Sequence, residues 1–183
     1  FDRTILMVGR IASEKNSALA IEAMKEVVKT HPRTGLVIVG DGTEAEGLVL
    51  KAKSYKLIAN VVIERQVNGI APYYHAADIF LHTSNYEGYG MVLIEAAAAG
   101  LPIVTTDVGI AGDVLHDGTE ALVCPVGDYV CISARLTQLL GDESLRARLG
   151  KAAQAAALQH AASKEEYLEG LKLSWEGCAV PEV

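Results

Sequence analysis

Apolar residues in this chain fall into short continuous runs separated by amphipathic stretches. Six runs of strand length are rich in Val, Ile and Leu and show no polar alternation, which is typical of strands buried on both faces of a sheet. They occupy residues 4–9, 36–40, 60–63, 78–82, 102–106 and 121–124. The stretches between them are helical or loop-like, so strand and helix alternate along most of the chain.

The first helical pattern is the clearest. Ala20, Met24 and Val27 recur with the spacing of one helix face, and Asn16 stands at the position of a helix N-cap. A short helix is predicted over residues 71–77, and an alanine-rich one follows the fourth strand.

Residues 131–183 show no strand pattern. Asp128 is predicted to cap a helix that carries Leu136, and Asp142 to begin a second one. Ser163-Lys164-Glu165-Glu166 is typical of a capping box, which predicts a third helix that contains Trp175.

These patterns together predict an α/β fold of Rossmann-like, doubly wound type, with a mostly parallel six-stranded sheet and helices on both faces. We expect a single domain over residues 1–183, with an αβ core over 1–130 and a helical tail over 131–183.

The net charge and the cysteines limit which partners and which cellular compartment are expected for this protein. A formal net charge of −7 argues against a broad nucleic-acid surface, and no apolar run reaches membrane-spanning length. Cys124, Cys131 and Cys178 form no C-x-x-C pair, so we expect three ordinary thiols in a reducing compartment. The chain starts at Phe1 and enters a strand almost at once, which suggests a fragment of a longer protein.

Residues 83–100 combine a glycine-bearing turn with the alanine-rich helix. Glu87 lies in the turn and Glu95 on the helix, eight residues later. Backbone N–H groups at a helix start attract anions, and carboxylates accept hydrogen bonds from hydroxyls. A ligand that combines phosphates with sugar rings would satisfy both.

Two cations are expected at the same edge of the sheet. Arg10 follows the first strand and Lys15 lies in the loop after it, and ligands of doubly wound sheets bind outside the carboxyl ends of the strands. Each residue also has a plainer explanation, because charged side chains are usually solvated and glycines often only form turns. Glu95 is equally consistent with a position that faces water.

Four motifs resemble those of the retaining glycosyltransferases of family 4 (group 1), which have the GT-B fold. Gly9-Arg10 with Glu14-Lys15 resembles the family's G-R-x-x-x-E-K signature, and residues 87–95 resemble its E-G-F-G-L-x-x-x-E element. Gly40-Asp41-Gly42 resembles a G-x-G turn, and residues 102–109 resemble a P-V-V-x-T-x-x-G strand. The resemblance covers residues 4 to about 130.

The resemblance implies a role for each matched residue. Arg10, Lys15 and Glu87 would be catalytic: the two cations would stabilise the leaving nucleoside diphosphate in place of a metal, and Glu87 would bind hydroxyls of the transferred sugar. No metal or other cofactor is therefore expected. Glu95 would hold the ribose. The remaining donor-binding residues would be Gly9, Asp41, Arg65, Gln66, Ser84, Gly88, Tyr89, Gly90, Met91 and Val92.

Some positions depart from the family pattern. Tyr89 replaces the usual Phe, Thr83-Ser84 stands where Pro-Ser is common, residues 109–113 replace G-G-x-x-E, and Glu120 replaces a frequent Gly. None of the histidines lies in a matching motif, so all five are interpreted as structural or surface residues: His31, His75, His82, His116 and His160.

The resemblance is to the donor-binding half of such an enzyme. It implies a hexosyltransferase of carbohydrate biosynthesis that moves a sugar from a nucleoside-diphosphate sugar, such as a UDP-sugar, to an acceptor hydroxyl with retention. The partner would be the N-terminal acceptor domain, which this chain lacks, and the fragment would bind nucleotide but be inactive alone. A cytoplasmic location is expected, with peripheral association at the cytoplasmic face of a membrane left open.

Two other interpretations remain. An NAD(P)-dependent dehydrogenase is disfavoured because residues 9–13 do not form a G-x-G-x-x-G turn. A non-catalytic nucleotide-binding or regulatory domain of the same fold would keep the sheet but not the chemistry.

Overall fold

A computed structural model of the chain describes residues 1–65 and 67–160. Within these residues, six strands form one sheet: β1 (Arg3–Val8), β2 (Thr34–Val39), β3 (Val61–Glu64), β4 (Ile79–His82), β5 (Ile103–Thr106) and β6 (Ala121–Cys124). The helices in the same part of the chain are α1 (Ser17–Thr30), α2 (Ala45–Ser54), α3 (Ala71–Ala76), α4 (Met91–Ala98), α5 (Tyr129–Gly141) and α6 (Glu143–His160).

The strand order is β3-β2-β1-β4-β5-β6, and each pair of neighbouring strands is parallel. The chain lays down β1, β2 and β3 in one direction and then returns to place β4 on the other side of β1. This reversal opens a crevice outside the carboxyl ends of β1 and β4, where doubly wound folds bind their ligands. The predicted Rossmann-like sheet with helices on both faces is confirmed.

Both faces of the sheet are covered by apolar side chains. Ile5 of β1 packs with α1, α2 and α5 on one face, whereas Leu6 packs with α3 and α4 on the other. Successive side chains of a strand point to opposite faces, so β1 is buried on both sides. This explains why its sequence is a continuous apolar run without alternation.

The helix starts differ in how well the sequence predicted them. Asp128 caps α5 by accepting a hydrogen bond from the backbone amide of Cys131 at 2.9 Å, as predicted. Asn16 is the N-cap residue of α1, as predicted, but it has a φ of 47° and its side chain makes no cap hydrogen bond. The third predicted tail helix, which would begin at the capping box of residues 163–166 and contain Trp175, lies outside the described residues. The same is true of Gln66.

Cys124 and Cys131 form a disulfide across the junction of β6 and α5, with their Cα atoms 5.8 Å apart. The expectation of three ordinary thiols is therefore wrong for this pair, and the cysteines no longer support a reducing compartment. The seven-residue spacing is not a recognised sequence motif. Only the turn between strand and helix brings the two side chains together. Cys178 lies outside the described residues.

The length and hydropathy of the helices bear on membrane insertion. Among the residues that the structure describes, none of the helices is both long enough and apolar enough to cross a membrane.

Candidate functional site

The loop after β1 and the loop after β4 are joined by hydrogen bonds at the crevice. The backbone amide of Asn85 donates to the carbonyl oxygen of Glu14 at 2.8 Å, and the side-chain amide of Asn16 donates to Asn85 Oδ1 at 3.0 Å. The Thr83 hydroxyl lies 3.1 Å from the carbonyl oxygens of both Lys15 and Asn16. The family commonly has proline at position 83, which would lack this hydroxyl. Thr83 therefore adds hydrogen bonds between the two loops.

Glu87 lies at the centre of a polar cluster between these loops. Its Oε1 accepts a hydrogen bond from the Lys15 ammonium and another from the Ser84 hydroxyl at 2.8 Å, and it lies 3.0 Å from His82 Nε2. The side chain of Glu87 is only 10% exposed. These contacts, with His82 as the largest contributor, lower the pKa of Glu87 to about 2 in spite of its partial burial. Glu87 therefore stays a carboxylate at neutral pH.

The second predicted cation lies at the rim of the same site. The Arg10 guanidinium is 70% exposed and pairs with the Glu14 carboxylate in the loop after β1. The backbone amide of Glu14 and the charge of Arg10 lower the pKa of the Glu14 carboxyl. Gly9, Arg10, Lys15 and Ser84 line one small hollow at the carboxyl ends of β1 and β4.

The glycine-bearing turn leads directly into α4. Gly90 has a φ of 87° and immediately precedes the first helical residue, Met91. The first backbone N–H groups of a helix have no intrahelical partner and point out of its N-terminal end. Gly88 and Tyr89 are exposed ahead of the helix, whereas Val92 is half-buried in its first turn. The structure thus places an anion-attracting helix start next to the Glu87 cluster.

Glu95 lies further along α4 and lines a second hollow of about 340 Å³. The buried Tyr74 hydroxyl of α3 donates a hydrogen bond to Glu95 Oε2 at 2.7 Å. Burial, and secondarily the Glu95 carboxylate, raise the pKa of Tyr74 well above its ordinary value. Glu95 is thus exposed to water but oriented by a partner, and it does not contribute to the hollow lined by Arg10 and Lys15.

Asp41 and Arg65 form an exposed ion pair at the carboxyl ends of β2 and β3. Arg65 Nε donates to Asp41 Oδ1 at 2.7 Å, and the backbone amide of Gly42 donates to the same oxygen at 2.8 Å. The Arg65 contact, followed by that of Gly42, lowers the pKa of Asp41. Among residues 1–65 and 67–160, no group of three or more His, Cys, Asp or Glu side chains is arranged to hold a metal ion.

This geometry can be set beside proteins of similar sequence. The family described as "Glycosyl transferases group 1" matches residues 2–156. The chain belongs to this family. Glycogen synthase of Mycobacterium tuberculosis is 32% identical over 152 residues, which cover 82% of this chain and 37% of that protein. The amylovoran biosynthesis glycosyltransferase AmsD of Erwinia amylovora is 35% identical over 151 residues, which cover 81% and 42%. The chain therefore spans less than half the length of these relatives.

The fold is also similar to that of a solved glycosyltransferase structure. A variant of TarM from S. aureus, in complex with Fondaparinux, alpha-GlcNAc-glycerol and UDP, has a TM-score of 0.88 and 21% identity, covering 93% of this chain and 35% of that chain. At this identity the likeness establishes the fold of this group 1 glycosyltransferase chain and nothing finer.

Sequence reasoning missed one member of the Glu87 cluster. The sequence motifs leave His82 among the structural or surface histidines, yet its ring is only 5% exposed and contacts Glu87, Ser84 and Thr105. The available signal was its place in the sequence. It is the last residue of an otherwise apolar strand that borders the crevice, where a buried polar side chain needs hydrogen-bonding partners.

Proposed function

We propose that this chain is the donor-binding half of a retaining glycosyltransferase that transfers a hexosyl group from a nucleoside-diphosphate sugar to an acceptor hydroxyl. The observation that carries the proposal is the ion pair between Lys15 and Glu87 at the crevice between β1 and β4. A cation suited to a diphosphate and a carboxylate suited to sugar hydroxyls lie side by side there, at the fold's ligand-binding edge.

Lys15, Arg10 and the start of α4 would bind the diphosphate together. Arg10 is exposed, so its side chain can turn to reach an anion, and Lys15 can exchange its contact with Glu87 for phosphate oxygens. The N–H groups that begin at Met91 add the partial positive charge of a helix N-terminus. These groups would stabilise the departing nucleoside diphosphate without a metal, because they supply the positive charge that a metal provides in other enzymes.

The two glutamates would bind the two sugar rings of the donor. Glu87 would accept hydrogen bonds from hydroxyls of the transferred sugar, next to the diphosphate. Glu95 would hold the ribose hydroxyls in its own hollow, with Tyr74 keeping one carboxylate oxygen in place. The Asp41–Arg65 pair would border the nucleobase.

UDP is our first candidate for the nucleotide product, because the TarM variant of the same fold is in complex with UDP. The acceptor site would lie on a further domain, since the relatives are more than twice as long as the matched segment. The chain alone would then bind nucleotide but transfer no sugar.

Calorimetric titration of the chain with UDP, GDP, ADP and NADH tests the proposal directly. We expect one nucleoside diphosphate to bind in the presence of a chelator, and NADH not to bind. Lys15→Met should weaken the binding at least about tenfold, the rough scale of one charge-assisted hydrogen bond.

Lys29→Met is the matched control, because Lys29 forms an exposed ion pair with Glu26 on α1, outside the crevice. It should leave the affinity unchanged. The proposal would be refuted if none of the nucleoside diphosphates bound, or if the two lysine variants lost equal affinity.

A further inference from the structure

The hydrogen bonds of Thr105 determine where His82 carries a proton. The Thr105 hydroxyl donates to the carbonyl oxygen of Thr106 at 2.9 Å, so its single proton is already used. His82 Nδ1 lies 3.2 Å from Thr105 Oγ1. With the Thr105 proton donated to Thr106, the Thr105 oxygen is left to accept, and His82 Nδ1 takes the donor role in this arrangement.

The other ring nitrogen faces two oxygens. His82 Nε2 lies 3.0 Å from Glu87 Oε1 and 3.0 Å from Ser84 Oγ, while Ser84 Oγ lies 2.8 Å from the same Glu87 oxygen. The carboxylate of Glu87 can only accept hydrogen bonds, and the Ser84 hydroxyl has one proton to donate. The proton on Nε2 therefore decides which way the Ser84 hydroxyl points.

Two arrangements satisfy these contacts. When Nε2 is protonated, His82 and Ser84 both donate to Glu87 Oε1, beside Lys15. When Nε2 is deprotonated, it accepts a hydrogen bond from the Ser84 hydroxyl. Glu87 then loses the hydrogen bonds of both His82 and Ser84 together.

We propose that His82 is a positioning residue for Glu87, and that its protonation at Nε2, relayed through the Ser84 hydroxyl, sets the number of donors that hold the Glu87 carboxylate. The charged groups that face His82 are Glu87 and Lys15, and Arg10 lines the same hollow. The partners Ser84 and Thr105, from the β4 loop and β5, are neutral. Because His82 is buried, it has little access to bulk water that could replace a lost partner.

The consequence for a ligand rests on the function proposed above. Every hydrogen bond that the Glu87 carboxylate makes within the described part of the chain goes to Oε1, so three donors hold one oxygen and leave Oε2 without a hydrogen-bond partner there. Once two donors are lost, Lys15 is the remaining partner of the carboxylate and is less available to a diphosphate. Deprotonation also removes a positive charge next to the anion site. Nucleotide affinity should therefore fall as pH rises.

The hydrogen-bond arrangement can be tested without any ligand, by NMR of the histidine ring nitrogens in the isotope-labelled chain. His82→Gln identifies the signals of His82, and the pH is raised until Nε2 loses its proton. We expect Nδ1 to keep its proton throughout and the Glu87 carboxyl carbon to shift with the loss at Nε2. A bare Nδ1, or a Glu87 signal that does not respond, would overturn the proposal.

The effect on binding is measured with UDP across the pH range over which the NMR titration shows Nε2 losing its proton. The glutamine amide of His82→Gln does not titrate, so its UDP affinity should lack the share of the pH dependence that comes from His82. The ratio of the wild-type to the variant dissociation constant should rise about tenfold across the range. The titration of UDP itself is common to both proteins and cancels in this ratio.

His116→Gln is the matched control, because His116 Nδ1 also lies 3.0 Å from a carboxylate, that of Glu120, but in an exposed pair. It should behave as the wild type does. Ser84→Ala removes the relay and should make the pH dependence smaller, because only the His82 hydrogen bond and charge are then lost; this keeps the test valid if His82→Gln fails to fold. If UDP binds and the ratio stays constant, the role of His82 is overturned while the proposed function stands. If the wild type does not bind UDP, the proposed function is contradicted, and the NMR result decides on His82.

Discussion

Gly109, in the loop after β5, lies against the carbonyl oxygen of Tyr89 in the turn before α4. A β-carbon at position 109 would stand 2.5 Å from that oxygen, and the residue has a φ of 60°. The backbone amide of the next residue, Ile110, donates to the same oxygen at 3.0 Å. The loop after β5 thus holds the turn that begins α4, and only glycine allows the approach.

Replacing Gly109 by alanine should therefore displace the turn. Gly109→Ala is expected to cost about 1–3 kcal/mol of stability and to weaken nucleotide binding, because the new β-carbon forces Tyr89 and the start of α4 to move. Gly112→Ala is the control, since Gly112 also has a positive φ, 85°, but a β-carbon added there would meet no heavy atom within 4 Å. Urea unfolding and UDP titration should show larger losses for Gly109→Ala than for Gly112→Ala. Equal losses of UDP binding would refute the idea that the loop after β5 holds the turn before α4.

Glu95 should matter for binding but not for folding. Glu95→Ala is expected to weaken nucleoside-diphosphate binding about tenfold with an unchanged circular dichroism spectrum, because the side chain is exposed and lines an open hollow. Tyr74→Phe, which removes only the hydrogen bond to Glu95, should show a smaller loss. Unfolding of Glu95→Ala would instead mean that the carboxylate is structural.

Arg10 should act on turnover. In the longer glycosyltransferase proposed above, Arg10→Ala is expected to reduce the rate of sugar transfer at least about 10²-fold, the scale for losing one charge-stabilising donor. Arg33→Ala provides the comparison, because Arg33 is a similarly exposed arginine that pairs with Asp2. A rate close to that of the wild type for Arg10→Ala would exclude its assigned role.

The Glu87 cluster should also appear in the pH dependence of stability. The pKa of Glu87 is lowered from 4.5 to about 2, so the folded state binds its proton less readily than the unfolded state. Its contribution to the free energy of unfolding is complete above about pH 4.5 and is lost as the pH falls toward 2. Glu87→Gln, which cannot titrate, should show a shallower loss of stability over this interval in urea unfolding. If the free energy of unfolding fell equally with pH in the wild type and in Glu87→Gln, the stabilising role of the Glu87 carboxylate would be contradicted.

The Cys124–Cys131 disulfide makes a prediction about thiol content. A thiol assay on the unfolded chain should count two more thiols after reduction than before it. For so short a loop, the bond should stabilise the folded chain by about 2 kcal/mol. The variant with serine at both positions should be insensitive to reductant, and an unchanged thiol count would show that the bond is absent in solution.

Strand positions were predictable because burial on both faces leaves a continuous apolar run, as in Ile5 and Leu6. β6 was predicted with its observed ends, 121–124. β2 begins at Thr34 rather than 36 because Thr34 and Gly35 pair with residues of β1. That pairing is a relationship between distant segments, which local apolarity does not express.

For the site, the sequence by itself determined which residues carry charge and which turns carry glycine, since these are properties of side chains and of local spacing. With the family resemblance, it predicted Arg10, Lys15 and Glu87 as site residues at one edge of a parallel sheet. Only the tertiary structure decided that Lys15 and Glu87 form an ion pair across 72 residues, and that His82 completes the cluster. It also decided the disulfide. The physical reason is the same in each case: hydrogen bonds, ion pairs and disulfides depend on distances of a few ångströms, and the folding of the chain, with its crossover from β3 to β4, sets those distances.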